Sequence, residues 1–168
     1  MADYDKTNAM RIMENAGFTA NPRPFPTAFI VDSGIGAADA LGMPYHLVFK
    51  TLVTVGRSGG RYVFVIPVDK DLNMRYAAEL TGEKSMAMLP MNLLVTATGY
   101  VHGGCSPLGM KKKYPTYIDA TALQLSKILV SAGRRGLMME VSPEALGVAA
   151  AAKFEFLTTE FRQGALDA

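Results

Sequence analysis

The spacing of apolar residues predicts helices near both ends and in the middle of the chain. Residues 7–15 place Met10, Ile12 and Met13 on an apolar face, with Thr7 as a capping residue. Gly17 follows at a position where a left-handed residue ends a helix well. Further helices are predicted in three places, namely after Gly36 as far as Gly42, over residues 72–81, and after Ser142, where a proline follows the capping serine.

Runs rich in β-branched and aromatic residues predict strands between these helices. Residues 48–55 and 61–68 form one such pair, and the glycine-rich turn between them predicts an antiparallel hairpin. Residues 127–133 and 137–141 form a second pair around Gly133-Arg134-Arg135-Gly136. Shorter apolar elements are expected at 86–89 and 114–118.

Three other segments are expected to lie outside regular structure. Prolines at alternate positions in residues 21–26 exclude a helix and favour an extended surface loop. Residues 99–109 carry the glycines of a loop that can form a site. The tail after Phe161 is expected to be frayed. Because strands outnumber helices and tight turns join them, the predicted fold class is α+β, with a mixed and largely antiparallel sheet packed against helices.

Composition narrows the class of protein. The chain has 168 residues, 49% of them hydrophobic, which suffices for one domain over 1–168 with its core at about 7–157. The one cysteine, Cys105, has no intramolecular partner, and the first residues are polar, so a cytoplasmic protein is expected. No apolar run approaches the roughly 20 residues that span a bilayer, which argues against a membrane role.

Charge is almost balanced along the chain. Seventeen basic residues against 15 acidic ones do not indicate a protein that coats nucleic acid. Basic residues nevertheless cluster at Lys111, Lys112 and Lys113 and at Arg134 and Arg135. A nucleic-acid contact is therefore expected to be local.

Several nucleotide-binding, metal-binding and catalytic motifs are incomplete in this sequence. Residues 28–42 lack the small residue of a dinucleotide-binding fingerprint, since Asp39 stands there, and Met110 replaces the lysine that a phosphate loop needs. His46 and His102 have no partners at metal-ligand spacing, so neither a metal nor another cofactor is expected. Cys105 lies too close to His102 along the chain for a spaced catalytic pair and is interpreted as inert.

Three blocks of sequence carry a family resemblance. TGYVHGGCSPLGMKKKYPTYID at 98–119, VFKTLVTV at 48–55 and VSAGRRGLMMEV at 130–141 resemble the YbaK/EbsC family. This family comprises free-standing relatives of the editing domain inserted in bacterial prolyl-tRNA synthetases. The resemblance extends from about Thr7 to Phe154 and implies the editing-domain fold with a barrel-like sheet.

The resemblance assigns expected roles to particular residues. Lys50 corresponds to the essential lysine of the family, and Gly103 and Gly104 would direct backbone N–H groups at the oxyanion of the aminoacyl ester. The expected substrate-binding residues are Phe25, Thr51, Ser106 and Ser131. The expected tRNA-binding residues are Lys111, Lys112, Lys113, Arg134 and Arg135.

The implied activity is removal of cysteine from misacylated Cys-tRNA(Pro), and also from Cys-tRNA(Cys), with the substrate's own thiol attacking its ester. Prolyl-tRNA synthetase is the implied protein partner. Phe25 stands where some relatives have tyrosine, Met138 where some have aspartate, and Cys105 replaces an aliphatic residue. A deacylase for another amino acid such as alanine, and a binding or regulatory module without catalysis, remain as alternatives.

Overall fold

The structure is a computed structural model that describes residues 5–27 and 33–160. The first and last helices begin at the polar caps expected from sequence, because the hydroxyl of Thr7 accepts from the N–H of Met10 and that of Ser142 from the N–H of Ala145. The helices are α1 Asn8–Asn15, α2 Ser33–Leu41, α3 Met74–Thr81, α4 Leu94–Thr98 and α5 Pro143–Ala150. The strands are β1 Asn21–Pro24, β2 Phe49–Gly56, β3 Arg61–Pro67, β4 Met86–Met88, β5 Thr116–Asp119, β6 Ile128–Arg134, β7 Leu137–Val141 and β8 Lys153–Glu155.

These strands form two sheets. The larger has the order β4-β2-β3-β5-β8, in which β2 pairs antiparallel with β3 and β4, and β5 pairs parallel with β3 and β8. The smaller has the order β1-β7-β6 and is antiparallel. A parallel bridge between Val48 and Leu129 joins the two sheets. The α+β class and the largely antiparallel pairing are thus confirmed.

The expected barrel closure is wrong. The larger sheet is open, with β4 and β8 at its edges, and the smaller sheet meets it only through the bridge next to β2. Short edge strands and a single bridge leave no continuous ladder around the part of the molecule that the structure describes. This incomplete joining leaves a gap beside β2.

The proline-rich segment is a strand rather than a surface loop. Residues 21–24 pair with β7, and the N–H of Phe25 donates to the carbonyl of Gly136 at 2.9 Å. Alternate residues of a strand direct their N–H groups to the same side. Pro22 and Pro24, which have no N–H, face away from β7 on this edge strand, whereas Asn21 and Arg23 face β7 and pair with it.

Other elements agree with the sequence within a few residues. β7 has the predicted bounds, whereas α2 begins at Ser33 instead of after Gly36. Helix α4 and strand β8 were not predicted, because both are too short to show a period. The possible strand before Gly34 and the tail after Phe161 lie outside the described residues.

The main core lies between the sheets and helices α1 and α5. Its fully buried members include Met13, Phe49, Ile118, Met139 and Leu146. A second buried cluster, around Val48, Val68 and Leu129, packs where the two sheets meet. None of the helices in the described ranges combines the length and the apolar character needed to cross a membrane.

Candidate active site

A cavity of about 440 Å³ occupies the gap beside β2. Strand β4 pairs with β2 only from Thr54 to Gly56. The one backbone bridge to β6 is made by Val48, just before β2 begins. On the side of β2 that faces away from β3, no described strand therefore pairs with residues 50–52. The glycine loop of residues 99–109 closes the opposite wall. The lining residues are Phe25, Gly34, Ala37, Phe49, Lys50, Thr51, Leu52, Val53, Met88, Leu89, Pro90, Met91, Leu94, His102, Gly103, Cys105, Ser131 and Met138.

Lys50 is the cation of this cavity. It is half-buried on β2, and burial lowers the pKa of its ammonium, while Asp71 and Asp69 act in the opposite direction. Gly34 packs between Val68 and Lys50: a Cβ on Gly34 would clash with a Val68 methyl carbon at 2.2 Å and would stand in ordinary contact with the Cβ of Lys50 at 3.5 Å. A partly desolvated ammonium binds an oxyanion or a phosphate more strongly than one in water.

The two loop glycines have different surroundings. Gly103 lines the cavity with a φ of 86°, at the third position of a turn closed by the Gly104 N–H donating to the Val101 carbonyl at 3.0 Å. A positive φ at that position favours glycine. The N–H of Gly104 is therefore engaged inside the loop, whereas no described residue accepts from the N–H of Gly103.

Gly104 lies behind the cavity rather than on its wall. It is buried, and a Cβ there would stand 2.9 Å from the backbone nitrogen of Arg135 and 3.0 Å from the Cα of Arg134. Of the two glycines expected to bind an oxyanion, the structure therefore leaves Gly103 as the available donor.

Three predicted hydroxyls are placed differently. Ser131 lines the cavity, and its Oγ accepts from the N–H of Gly133 at 3.2 Å, which leaves its own proton free to be donated. Thr51 also lines the cavity, but its Oγ1 is enclosed and has no partner among the described residues. Ser106 does not line it: the side chain is fully buried and accepts from the N–H of Leu108 within the loop.

One end of the cavity is apolar. Phe25 and Met138, two of the three positions at which the resemblance implies a departure from the family pattern, belong to one buried cluster together with Ala37. Neither side chain carries a hydroxyl or a carboxylate. It suits a small apolar or weakly polar side chain.

The titratable side chains of the cavity wall are Lys50, His102 and Cys105. Burial raises the pKa of the Cys105 thiol to about 12, although a hydrogen bond with Thr98 acts against this shift. The thiol is therefore a poor nucleophile at neutral pH. Among the described residues, no three His, Cys, Asp or Glu side chains come together as a metal site would require.

Sequence reasoning missed His102 and the apolar residues of β4 and α4 as parts of the wall. The sequence argues against His102 as a metal ligand and as the base of Cys105, and its position next to Gly103 is the signal that could have placed it on the wall. Met88, Met91 and Leu94 come from a segment whose turns could not be placed from sequence, and only the structure brings them to the cavity.

The two basic clusters lie on the two flanks of the glycine loop. The backbone of Arg134 and Arg135 packs against Gly104. The N–H of Lys111 donates to the carbonyl of Thr98 at 3.0 Å, and the Lys111 side chain lies against Gly99. All five basic side chains are exposed, so they are accessible to a phosphate backbone next to the cavity.

Known proteins resemble this chain in sequence. A family model described as the aminoacyl-tRNA editing domain matches residues 33–147. The chain is 41% identical over 155 residues to EbsC of Enterococcus faecalis, a protein named provisionally as a Cys-tRNA(Pro)/Cys-tRNA(Cys) deacylase, and the match covers 92% of this chain and 94% of that protein.

Two solved structures share the fold. One, described provisionally as a trans-editing enzyme for prolyl-tRNA synthetase, has a TM-score of 0.76 and 21% identity and covers 92% of this chain and 99% of its own. The other, a hypothetical protein named APE2540, has a TM-score of 0.77 and 27% identity and covers 88% of this chain and 97% of its own.

Proposed function

Because this chain belongs to the aminoacyl-tRNA editing domain family, we propose that it is a trans-editing deacylase that removes cysteine from Cys-tRNA(Pro), and from Cys-tRNA(Cys) by the same chemistry. The observation that carries the proposal is the cavity beside β2. Lys50, Gly103 and Ser131 all line it, and no described residue accepts from the N–H of Gly103. The naming of the 41% identical relative supports cysteine as the amino acid removed.

The substrate supplies the nucleophile in this proposal. The protein's own cavity thiol, Cys105, stays protonated at neutral pH because burial raises its pKa to about 12. A cysteinyl ester brings a more exposed thiol, which is a few per cent ionised near neutral pH. Its sulfur gives up its proton and attacks the ester carbonyl, and the bond from that carbon to the ribose oxygen breaks. The ribose oxygen takes up the proton and leaves as the tRNA hydroxyl, and the cysteine leaves as a cyclic thioester that water hydrolyses.

The protein contributes position and charge. The Gly103 N–H donates to the carbonyl oxygen as negative charge develops there, and the partly buried ammonium of Lys50 stabilises the same charge or the adjacent phosphate. Holding the reacting atoms in line replaces a bimolecular encounter by an intramolecular one. These roles account for activity without a catalytic triad.

The basic clusters flanking the glycine loop would hold the acceptor end of the tRNA. Lys111, Lys112, Lys113, Arg134 and Arg135 are exposed on the two sides of the loop that forms the cavity wall. Phosphate contacts there would give affinity that falls with salt. Prolyl-tRNA synthetase is the proposed partner that selects the tRNA, and the cytoplasm, where tRNA is charged, is the proposed location.

A second candidate is deacylation of alanine. The apolar end formed by Phe25, Ala37 and Met138 fits a methyl group as well as a thiol. Alanine offers no nucleophile, so this activity would require a water molecule activated in the cavity. The two candidates therefore differ in chemistry more than in binding.

Single-turnover rates decide between them. We expect saturating enzyme to clear cysteinyl-tRNA(Pro) fastest and the nearly isosteric seryl ester at least about 10-fold more slowly, because a neutral hydroxyl is the weaker nucleophile. A Lys50→Met variant provides the inactive control. Equal rates for cysteinyl, seryl and alanyl esters would reject substrate assistance, and clearance of alanyl ester alone would favour the second candidate.

A further inference from the structure

Strand β4 leaves β2 at the wall of the cavity. The register pairs Thr54 with Met88, and the N–H of Leu89 donates to the carbonyl of Val53 at 3.0 Å. Continued pairing would place Met91 opposite Thr51. The chain instead turns at Pro90, whose carbonyl accepts from the N–H of Leu93 at 2.9 Å, into a short 3-10 helix over Met91–Leu93.

The backbone of Thr51 faces the gap that results. Val48 directs its carbonyl toward β3, where it accepts from Val68, whereas Val53 directs its carbonyl toward β4. Since alternate residues of a strand direct their N–H and C=O to the same side, Thr51 directs both groups away from β3, as Val53 does. The bridge from Val48 to Leu129 is the last backbone pairing with β6, so no described strand pairs with Thr51 on that side.

The side chain of Thr51 adds a third unpaired group. Its Oγ1 is buried without a hydrogen-bond partner among the described residues. Such a group destabilises a folded protein unless something pairs with it. The unpaired backbone and the unpaired hydroxyl occur at the same residue, which lies on the wall of the cavity.

We propose that the aminoacyl group of the substrate takes the ladder position opposite Thr51, as one residue of an added strand. The inference rests on the proposed function, since an aminoacyl ester carries an amino group and a carbonyl in the same relation as a peptide residue. The α-ammonium donates to the carbonyl of Thr51. The ester carbonyl accepts from the N–H of Thr51, which together with the N–H of Gly103 makes a pair of oxyanion donors.

This arrangement accounts for the lack of an acidic partner in the cavity. A carboxylate is the usual partner of an ammonium, yet among the described residues no carboxylate lines the cavity. The carbonyl of Thr51 is a neutral acceptor on a strand that is held by its pairing with β3. Main-chain groups thus bind the amino group and the carbonyl that all aminoacyl esters share, and the side-chain thiol determines which ester reacts.

The first test changes the substrate and leaves the protein intact. A tRNA(Pro) carrying a 3-mercaptopropionyl ester keeps the thiol and the ester but lacks the α-amino group. We expect the enzyme concentration for half-maximal single-turnover rate to rise about 10- to 100-fold over that for cysteinyl-tRNA(Pro), because this ester cannot form the hydrogen bonds of the charged amino group. Equal values for the two esters would overturn the inference while leaving the deacylase proposal in place; clearance of neither would reject both.

The second test uses a pair of variants to check that Thr51 is unpaired in the free protein. Thr51→Val removes the hydroxyl and keeps the shape and the backbone, and Thr51→Ser keeps the hydroxyl. We expect Thr51→Val to raise the midpoint of thermal unfolding, because a buried hydroxyl without a partner is removed, and Thr51→Ser to lack this gain. A Thr51→Val protein that is less stable than the wild type would contradict the unpaired state of Thr51 on which the inference rests.

Discussion

The two walls of the cavity are built in different ways. On β2, the backbone pairs with β3 from Phe49 to Val55, and this pairing holds the strand whatever the ammonium of Lys50 does. In the glycine loop, shape depends on local turns, on the positive φ of Gly103 and on the Tyr100 hydroxyl, which donates to the carbonyl of Leu108 at 2.5 Å. A substitution can therefore remove the charge of Lys50 without disturbing the strand. In the loop, by contrast, Gly103 contributes both to the shape of the backbone and to the candidate site.

Removing the charge from the strand wall should have the largest effect on activity. Lys50→Met is expected to lower the single-turnover rate at least about 100-fold, because one electrostatic stabiliser of the transition state is removed. Circular dichroism should show an intact fold. Lys153→Met, at an exposed position of β8, is the matched control and should retain activity. An active Lys50→Met protein would remove the main site assignment.

The same variant should be more stable than the wild type at neutral pH. Burial lowers the pKa of Lys50 below its ordinary 10.5, so the unfolded chain binds more protons and stability rises with pH in the interval between the two pKa values. The stability gain of Lys50→Met should thus shrink as pH approaches 10.5, as denaturant titrations at several pH values can measure. A gain that is constant with pH would contradict the burial effect.

The two neighbouring glycines of the loop should differ in effect, Gly103 on the cavity wall in activity and Gly104 behind it in stability. Gly103→Val puts a branched residue at a φ of 86° beside the ester and is expected to reduce the rate about 10- to 100-fold. Gly104→Ala forces a Cβ against the backbone of Arg134 and Arg135 and should lower the free energy of unfolding by about 1–3 kcal/mol. A Gly104→Ala protein with wild-type stability would show that the loop and the basic turn are not closely packed.

The basic clusters outside both walls should affect binding more than chemistry. Replacing Arg134 and Arg135 by Gln should weaken tRNA affinity and reduce the slope of log affinity against log salt by about 1 for each phosphate that is no longer neutralised. The rate at saturating enzyme should change little. An unchanged salt slope would place the tRNA elsewhere.

The smallest effect is expected at Cys105. Cys105→Ser should keep the rate within about 3-fold, because a thiol with a pKa of about 12 is protonated at neutral pH and the proposed mechanism does not use it. Loss of the single-turnover rate in a folded variant would assign the nucleophile to the protein instead of the substrate.

Local patterns in the sequence were sufficient for the elements that depend on short-range interactions. The caps at Thr7 and Ser142, the hairpin of β2 and β3 and the bounds of β7 all follow from turn residues and β-branched runs. The family resemblance added Lys50 and Gly103, which the structure brings to one cavity. The prediction of a surface loop for the proline-rich segment was wrong because the pairing of this segment with β7 joins residues more than a hundred positions apart.

Long-range packing decided which of the matched residues face the cavity. Gly103 and Gly104 are neighbours in sequence, yet only one lines the wall, because the other packs on the turn between β6 and β7. The unpaired edge at Thr51 exists because Pro90 turns β4 away at the point where β6 has already diverged. Neither outcome is encoded in a local period, since each depends on where three separate strands end relative to one another.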